Sequence, residues 1–200
     1  MAKISVQTIN FFSEDIQFDL PNKKKVIPWI IKIIKNEGFS MQNAERNAMA
    51  KGGGTFRGYP GPHAPCALNF IFCSDNYLQK LNLKYLGHDT LTDVLTFDHT
   101  GMGNKEQGTR GKGKGARNAP ELPGTPRTMR SAPRAIEGDI FISIDRVKEN
   151  ARDYDNSFPN ELARVMIHGV LHLLGYSDKT DKGKALMREK EDACLSFNNK

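Results

Sequence analysis

Apolar residues recur with two different periods along this 200-residue chain. Dense apolar runs mark strands. Ile4–Phe12, Ala67–Cys73, Asp93–Phe97 and Asp139–Ile144 are short and rich in β-branched and aromatic residues. Spacings of three and four mark helices. Val26, Trp29, Ile30, Ile33 and Ile34 form such a stripe over Lys25–Asn36, with Gly38 as its expected stop. Ser74 is placed to cap a helix carrying Tyr77, Leu78, Leu81 and Tyr85. Further helices are expected over Arg146–Tyr154, over Glu161–Leu174 with Pro159 near its start, and over Asp181–Leu195 with Thr180 or Asp181 as cap. Strands alternate with helices. The expected fold class is therefore α/β (α+β), a mixed β-sheet packed with helices on at least one face.

Two stretches break the pattern. Lys51–Pro65 is Gly- and Pro-rich, and residues 101–135 are rich in Gly, Pro and charge with few large apolar side chains. Neither can bury enough surface to offset the entropy of ordering, so both read as flexible loops. The length suits one domain over residues 1–200. No apolar run approaches the roughly 18 residues of a membrane span, and Met1–Gln7 opens no signal core. A soluble cytoplasmic protein with no membrane partner is expected. Cys66, Cys73 and Cys194 are scattered and odd in number, which argues for reduced thiols rather than a disulfide framework.

The formal charge is +6 and the pI about 9.2. Residues 101–135 hold eight basic and two acidic residues, so this one segment carries the whole surplus. It suggests contact with nucleic acid through phosphates, but it contains no aromatic residue on which a base could stack. A solvated insertion at a loop tip is the competing reading.

The densest chemistry lies in Met166–Asp178. His168 and His172 stand one helical turn apart, so both imidazoles leave the same face. Gly175 frees the backbone to turn, and Asp178 can swing back beneath the same point. Two nitrogens and one carboxylate make a divalent-metal site with a coordination position left for water. A metalloprotease of the HExxH kind carries a glutamate after its first histidine as general base; here that residue is Gly169, which argues against a peptidase.

The run His168-Gly-Val-Leu-His172-Leu-Leu-Gly175-Tyr176 resembles the HGxLHLxGYDH motif of the YbeY family of endoribonucleases. Two more stretches agree. Leu81–Tyr85 with Asp89–Phe97 is similar to that family's LNxxYR…TDVLSF block, and Glu137–Ser143 to its LGDIxIS block. The three motifs occur in order over about residues 68–195, and both Gly/Pro stretches look like insertions. The resemblance implies a zincin-like domain and one Zn²⁺ held by His168, His172 and Asp178. It also implies cleavage of single-stranded RNA in 16S rRNA 3′-end maturation, with the ribosome or its small subunit as partner.

Two positions depart from the family. Asp178 stands where a third histidine is usual; a carboxylate oxygen is an acceptable zinc ligand and admits harder metals such as manganese more readily. Leu86 stands where the family commonly has an arginine linked to catalysis, and leucine cannot clamp a phosphate. Arg146, Arg164 and the lysines of 101–135 are the candidate replacements. Asp93, Asp139 and Asp181 are candidates to hold the second nitrogens of the histidines, although capping and backbone pairing are the plainer roles for all three. Asn82 and Thr92 read as turn hydrogen-bonders, His63, His88 and His99 as solvated loop residues, and Leu162, Val165 and Met166 as core. Besides an endoribonuclease, a ribosome-assembly RNA-binding factor with a structural metal fits the same sequence.

Overall fold

The computed structural model describes residues 7–50, 66–99 and 135–197. The expected loops at 51–65 and 101–135 thus lie outside the described residues, apart from Ala135. In chain order the elements are β1 (Gln7–Ser13), α1 (Lys23–Ala50), β2 (Cys66–Cys73), α2 (Asp75–Leu86), β3 (Val94–Asp98), β4 (Ile136–Ser143), α3 (Ile144–Asp153), α4 (Phe158–Leu173) and α5 (Asp181–Ser196). The four strands form one mixed sheet in the order β1-β2-β4-β3. β1, β2 and β4 run parallel, while β3 pairs antiparallel with β4 at the edge.

Alternation along the strands gives each face its own core. Leu68, Phe70 and Phe72 of β2 and Ile136, Ile140 and Ile142 of β4 are buried in one large cluster. Trp29, Ile30, Ile33 and Ile34 of α1, the apolar side of α4, and Met187 and Cys194 of α5 complete it. Cys73, Leu78 and Leu95 form a smaller cluster, with Tyr77, Leu81, Phe97 and Phe141 packed against it. Helices therefore cover both faces, α2 on one and most of the others opposite. All three cysteines are free and buried. Burial pushes the thiol of Cys66 up to about 11 and those of Cys73 and Cys194 up to about 12. Among the described residues no helix is long and apolar enough to cross a membrane.

Caps set the helix starts. Ser74 accepts from the Tyr77 amide as expected, and Thr180 rather than Asp181 caps α5 by accepting from Gly183. Ser143 and Ser157 cap α3 and α4, which begin two or three residues before the expected Arg146 and Glu161. The larger correction is in α1. Gly38 does not end it; the helix continues to Ala50. A glycine costs a helix only about 1 kcal/mol. Met41, Gln42, Ala44, Glu45, Arg46, Ala48 and Met49, all strong helix formers, follow it with no proline among them.

Candidate metal centre

The end of α4 is built to turn. Gly175 has φ +100°, the left-handed region open to glycine. Its amide donates to the His172 carbonyl at 2.9 Å, and the Tyr176 amide to the Leu171 carbonyl at 3.0 Å. This pair of bonds is a Schellman closure, and it satisfies carbonyls that the helix end would orphan. The chain then runs through Ser177, Asp178 and Lys179 to the Thr180 cap. On the far side Gly183 lies under the turn so closely that an added Cβ would sit 2.2 Å from the Ser177 carbonyl oxygen. The residues between the two helices are therefore held at both ends.

This geometry brings His168, His172 and Asp178 together, with one donor atom of each within 4.8 Å of the others. The two Nε2 atoms are 2.8 Å apart, and His168 Nε2 lies 3.9 Å from Asp178 Oδ2. The imidazole planes stand nearly perpendicular, at 84°. Each ring has its other nitrogen engaged. His168 Nδ1 is 2.7 Å from Glu191 Oε1, and His172 Nδ1 is 3.0 Å from the Tyr176 carbonyl. Both contacts place the proton on Nδ1 and leave Nε2 as a lone-pair donor facing the cluster. Two imidazole nitrogens and a carboxylate oxygen are a donor set that suits a borderline divalent ion such as Zn²⁺.

Electrostatics separate the two histidines. Burial pulls the His168 pKa down, but the hydrogen bond and charge of Glu191, with the charges of Asp93 and Asp178, reverse this and leave it raised. His172 is lowered, by burial first and then by the charge of His168.

Neither Nδ1 partner is one of the three candidate aspartates, for which other roles were the plainer reading. Asp139 accepts from Asn69 at 2.8 Å and pairs with His99 at 3.0 Å. His99 is thus a paired residue rather than a freely solvated one. Asp181 is exposed in the first turn of α5. Asp93 accepts from Asn150 Nδ2 at 3.3 Å, and burial raises its pKa. The overlooked residue is Glu191, only 6% exposed, which also accepts from Arg164 at 3.1 Å. Its signal lay in the sequence. Met187, Glu191 and Cys194 share one helical face and are all buried, so a carboxylate sits in an apolar stripe.

The cluster opens into a cleft of about 650 Å³ between α4, β3 and the turn before α5. Thr92, Asp93, Thr96 and Asp98 line one side, with Leu86 at the end of α2. Arg164, Glu191, Asp178 and Lys179 line another. Leu86 is 55% exposed and gives this wall an apolar lip. Arg146 is not among the lining residues; it pairs with Asp75 at 2.8 Å and with Glu149. Arg164 is in the wall but already pairs with Glu191 and Asp192. Asn82 donates to the Thr90 carbonyl and Thr92 to the Val94 carbonyl, the turn roles expected of them. Leu162, Val165 and Met166 are buried as expected, and Val165 also borders the cleft. His63 lies outside the described residues. Gly169 has no room for a side chain, since an added Cβ would lie 2.6 Å from Ile140 Cγ2. A glutamate there is excluded by the packing of α4 on β4.

Comparison with known proteins agrees with the motifs. The family model described as Endoribonuclease YbeY matches residues 54–199. Among curated proteins, the Endoribonuclease YbeY of Amoebophilus asiaticus is 40% identical over 95% of this chain and 92% of that relative. That of Cytophaga hutchinsonii is 38% identical over 96% of each. That of Flavobacterium johnsoniae is 35% identical over 93% of this chain and 94% of its own. A match over most of the length, carried through the histidine helix and both strand motifs, settles the family: the chain belongs to the YbeY endoribonucleases.

Proposed function

We propose that this chain is a zinc-dependent endoribonuclease that cuts single-stranded RNA, acting on the 16S rRNA precursor during small-subunit maturation in the cytoplasm. Family membership supports an endoribonuclease role. The observation that carries the metal reading is the convergence of His168, His172 and Asp178 on one point with both Nδ1 atoms already occupied. The chain's residues 1–200 would act as one zincin-like unit.

His168 and His172 would give Nε2 to the ion and Asp178 a carboxylate oxygen. The chemistry that a zinc ion held by these three residues would supply is Lewis acidity toward a phosphodiester oxygen and a lowered pKa for water at the open position. The protein's own part is orientation. Glu191 keeps the proton on His168 Nδ1, and the Tyr176 carbonyl does the same for His172, so both Nε2 lone pairs face one point. Arg164 holds Glu191 from behind. The apolar lip at Leu86 offers no charge to a phosphate, so that contact falls to a cation elsewhere. The basic stretch 101–135 follows β3, whose residues line the cleft, and would add salt-dependent affinity for RNA. A peptidase role is disfavoured by the packed Gly169.

The test is metal analysis joined to cleavage assays on the purified protein and on His172→Ala. Stoichiometric zinc with cutting of single-stranded RNA, both lost in the variant, is the expected result. Zinc without RNA cleavage would favour an assembly factor, and cleavage of casein a peptidase. Removing residues 103–132 should weaken RNA binding at low salt; unchanged affinity would rule out a role for that segment.

A further inference from the structure

The cleft presents a problem to a polyanion. Asp93, Asp98, Glu161, Asp178 and Glu191 line it, against Arg164 and Lys179. Five carboxylates facing two cations repel a phosphodiester, and even a divalent ion leaves the wall negative. Arg164 does little to help, because its guanidinium is spent on Glu191 at 3.1 Å and Asp192 at 3.0 Å. Lys179 differs. It is exposed, it lines the cleft, and its ammonium forms no ion pair among the described residues. Among the described residues its backbone amide donates to Ser177 Oγ at 3.4 Å.

Its placement is fixed by its neighbours. Lys179 follows Asp178 directly, in the turn held on one side by the Gly175 closure and on the other by the Thr180 cap. Gly183 packs against the Ser177 carbonyl beneath it. An ammonium on a flexible stem is thus tethered to a fixed backbone beside the metal cluster. Lysine suits this role, since its point charge can follow a phosphate that moves during cleavage. Across the cleft Leu86 supplies no competing charge.

We propose that the Lys179 ammonium receives a phosphate of the single-stranded RNA, beside the bond cut at the His168–His172–Asp178 cluster. The inference rests on the endoribonuclease reading for its ligand, and it concerns substrate binding rather than metal binding.

The experiment compares zinc-loaded wild type, Lys179→Ala and Lys179→Arg. Zinc content is measured first, then anisotropy of a labelled single-stranded RNA across a salt series, then KM and kcat. Lys179→Ala should keep its zinc, bind RNA about five- to tenfold more weakly at low salt, and show the loss mainly in KM. The slope of log affinity against log salt should shrink by about 0.7, the share of one phosphate contact on a single strand. Lys179→Arg should restore affinity and slope. Wild-type affinity and slope in Lys179→Ala would overturn the proposal. So would an affinity loss accompanied by zinc loss, which would trace the effect to Asp178. RNA binding without cleavage by wild type would sink the endoribonuclease reading while leaving the salt slopes to decide on Lys179. No RNA binding by wild type would overturn both.

Discussion

Glu191 Oε1 lies 2.7 Å from His168 Nδ1, joining residues 23 positions apart on two different helices. The carboxylate is almost fully buried and has Arg164 as its second partner. A buried carboxylate aimed at a ligand's second nitrogen fixes both the tautomer and the ring orientation. Glu191→Gln should therefore weaken zinc binding by about ten- to a hundredfold while the fold survives. Competition with a chromogenic chelator reads the affinity, and circular dichroism checks the fold. Undiminished affinity would show that the contact has no bearing on the metal.

Asp178 is the proposed third ligand, at the position where the motif that the chain resembles has a histidine. Asp178→Ala should lose metal in dialysis against a chelator, whereas Asp178→His should keep it, since imidazole nitrogen is an equally good zinc donor. Equal zinc retention by wild type and the alanine variant would place the third ligand elsewhere.

Proton competition should give the proposed metal centre a pH dependence. His168 holds its proton to higher pH than a free imidazole, and a protonated ring cannot ligate. Zinc affinity should start to fall while the pH is still above the ordinary histidine value of about 6.5, and fall further below it. His172 is shifted the other way and adds its competition only at lower pH. Calorimetry in two buffers of different ionisation enthalpy should show proton release on binding that grows as pH drops toward that range. In the metal-free protein the signs run oppositely. The stability from His168 is complete below about 6.5 and is lost as pH rises through its raised value. That from His172 is present above about 6.5 and is lost as pH falls.

Gly169→Ala places a methyl carbon 2.6 Å from Ile140 Cγ2, with Thr96 Oγ1 at 3.3 Å. Overpacking of this kind costs about 1–3 kcal/mol, and here it would push α4 off β4 at the histidine pair. A lowered melting temperature together with weaker zinc binding is expected. An unchanged melting temperature would show that the contact relaxes freely.

The outline of the fold was open to reading from the chain because its signals are local. The stripe Val26–Ile34, the caps at Ser74 and Thr180 and the one-turn histidine spacing each act within a few residues. Asp178 could be paired with the histidines because Gly175 announces the turn that returns it. What spacing along one helix could not give was the partner of His168, since Glu191 comes from the next helix and meets it only after α4 and α5 pack. The aspartates weighed for that role have partners of their own, Asp139 in Asn69 and His99, and Asp93 in Asn150. α1 runs past Gly38 for a different reason: one glycine is a weak stop when strong helix formers follow.

The three thiols amount to a set of built-in reporters. Cys66 and Cys194 belong to the large core, on the sheet and on α5, and Cys73 to the small cluster beneath α2. Burial together with pKa values of about 11 to 12 keeps each protonated and shielded near neutral pH. A thiol-reactive dye can then label the native chain only through an opening motion, and the rate at each site measures how often that layer opens. Single-cysteine variants would give three clocks in one molecule. If zinc braces α4 against α5, adding it should slow the Cys194 clock more than the Cys73 clock.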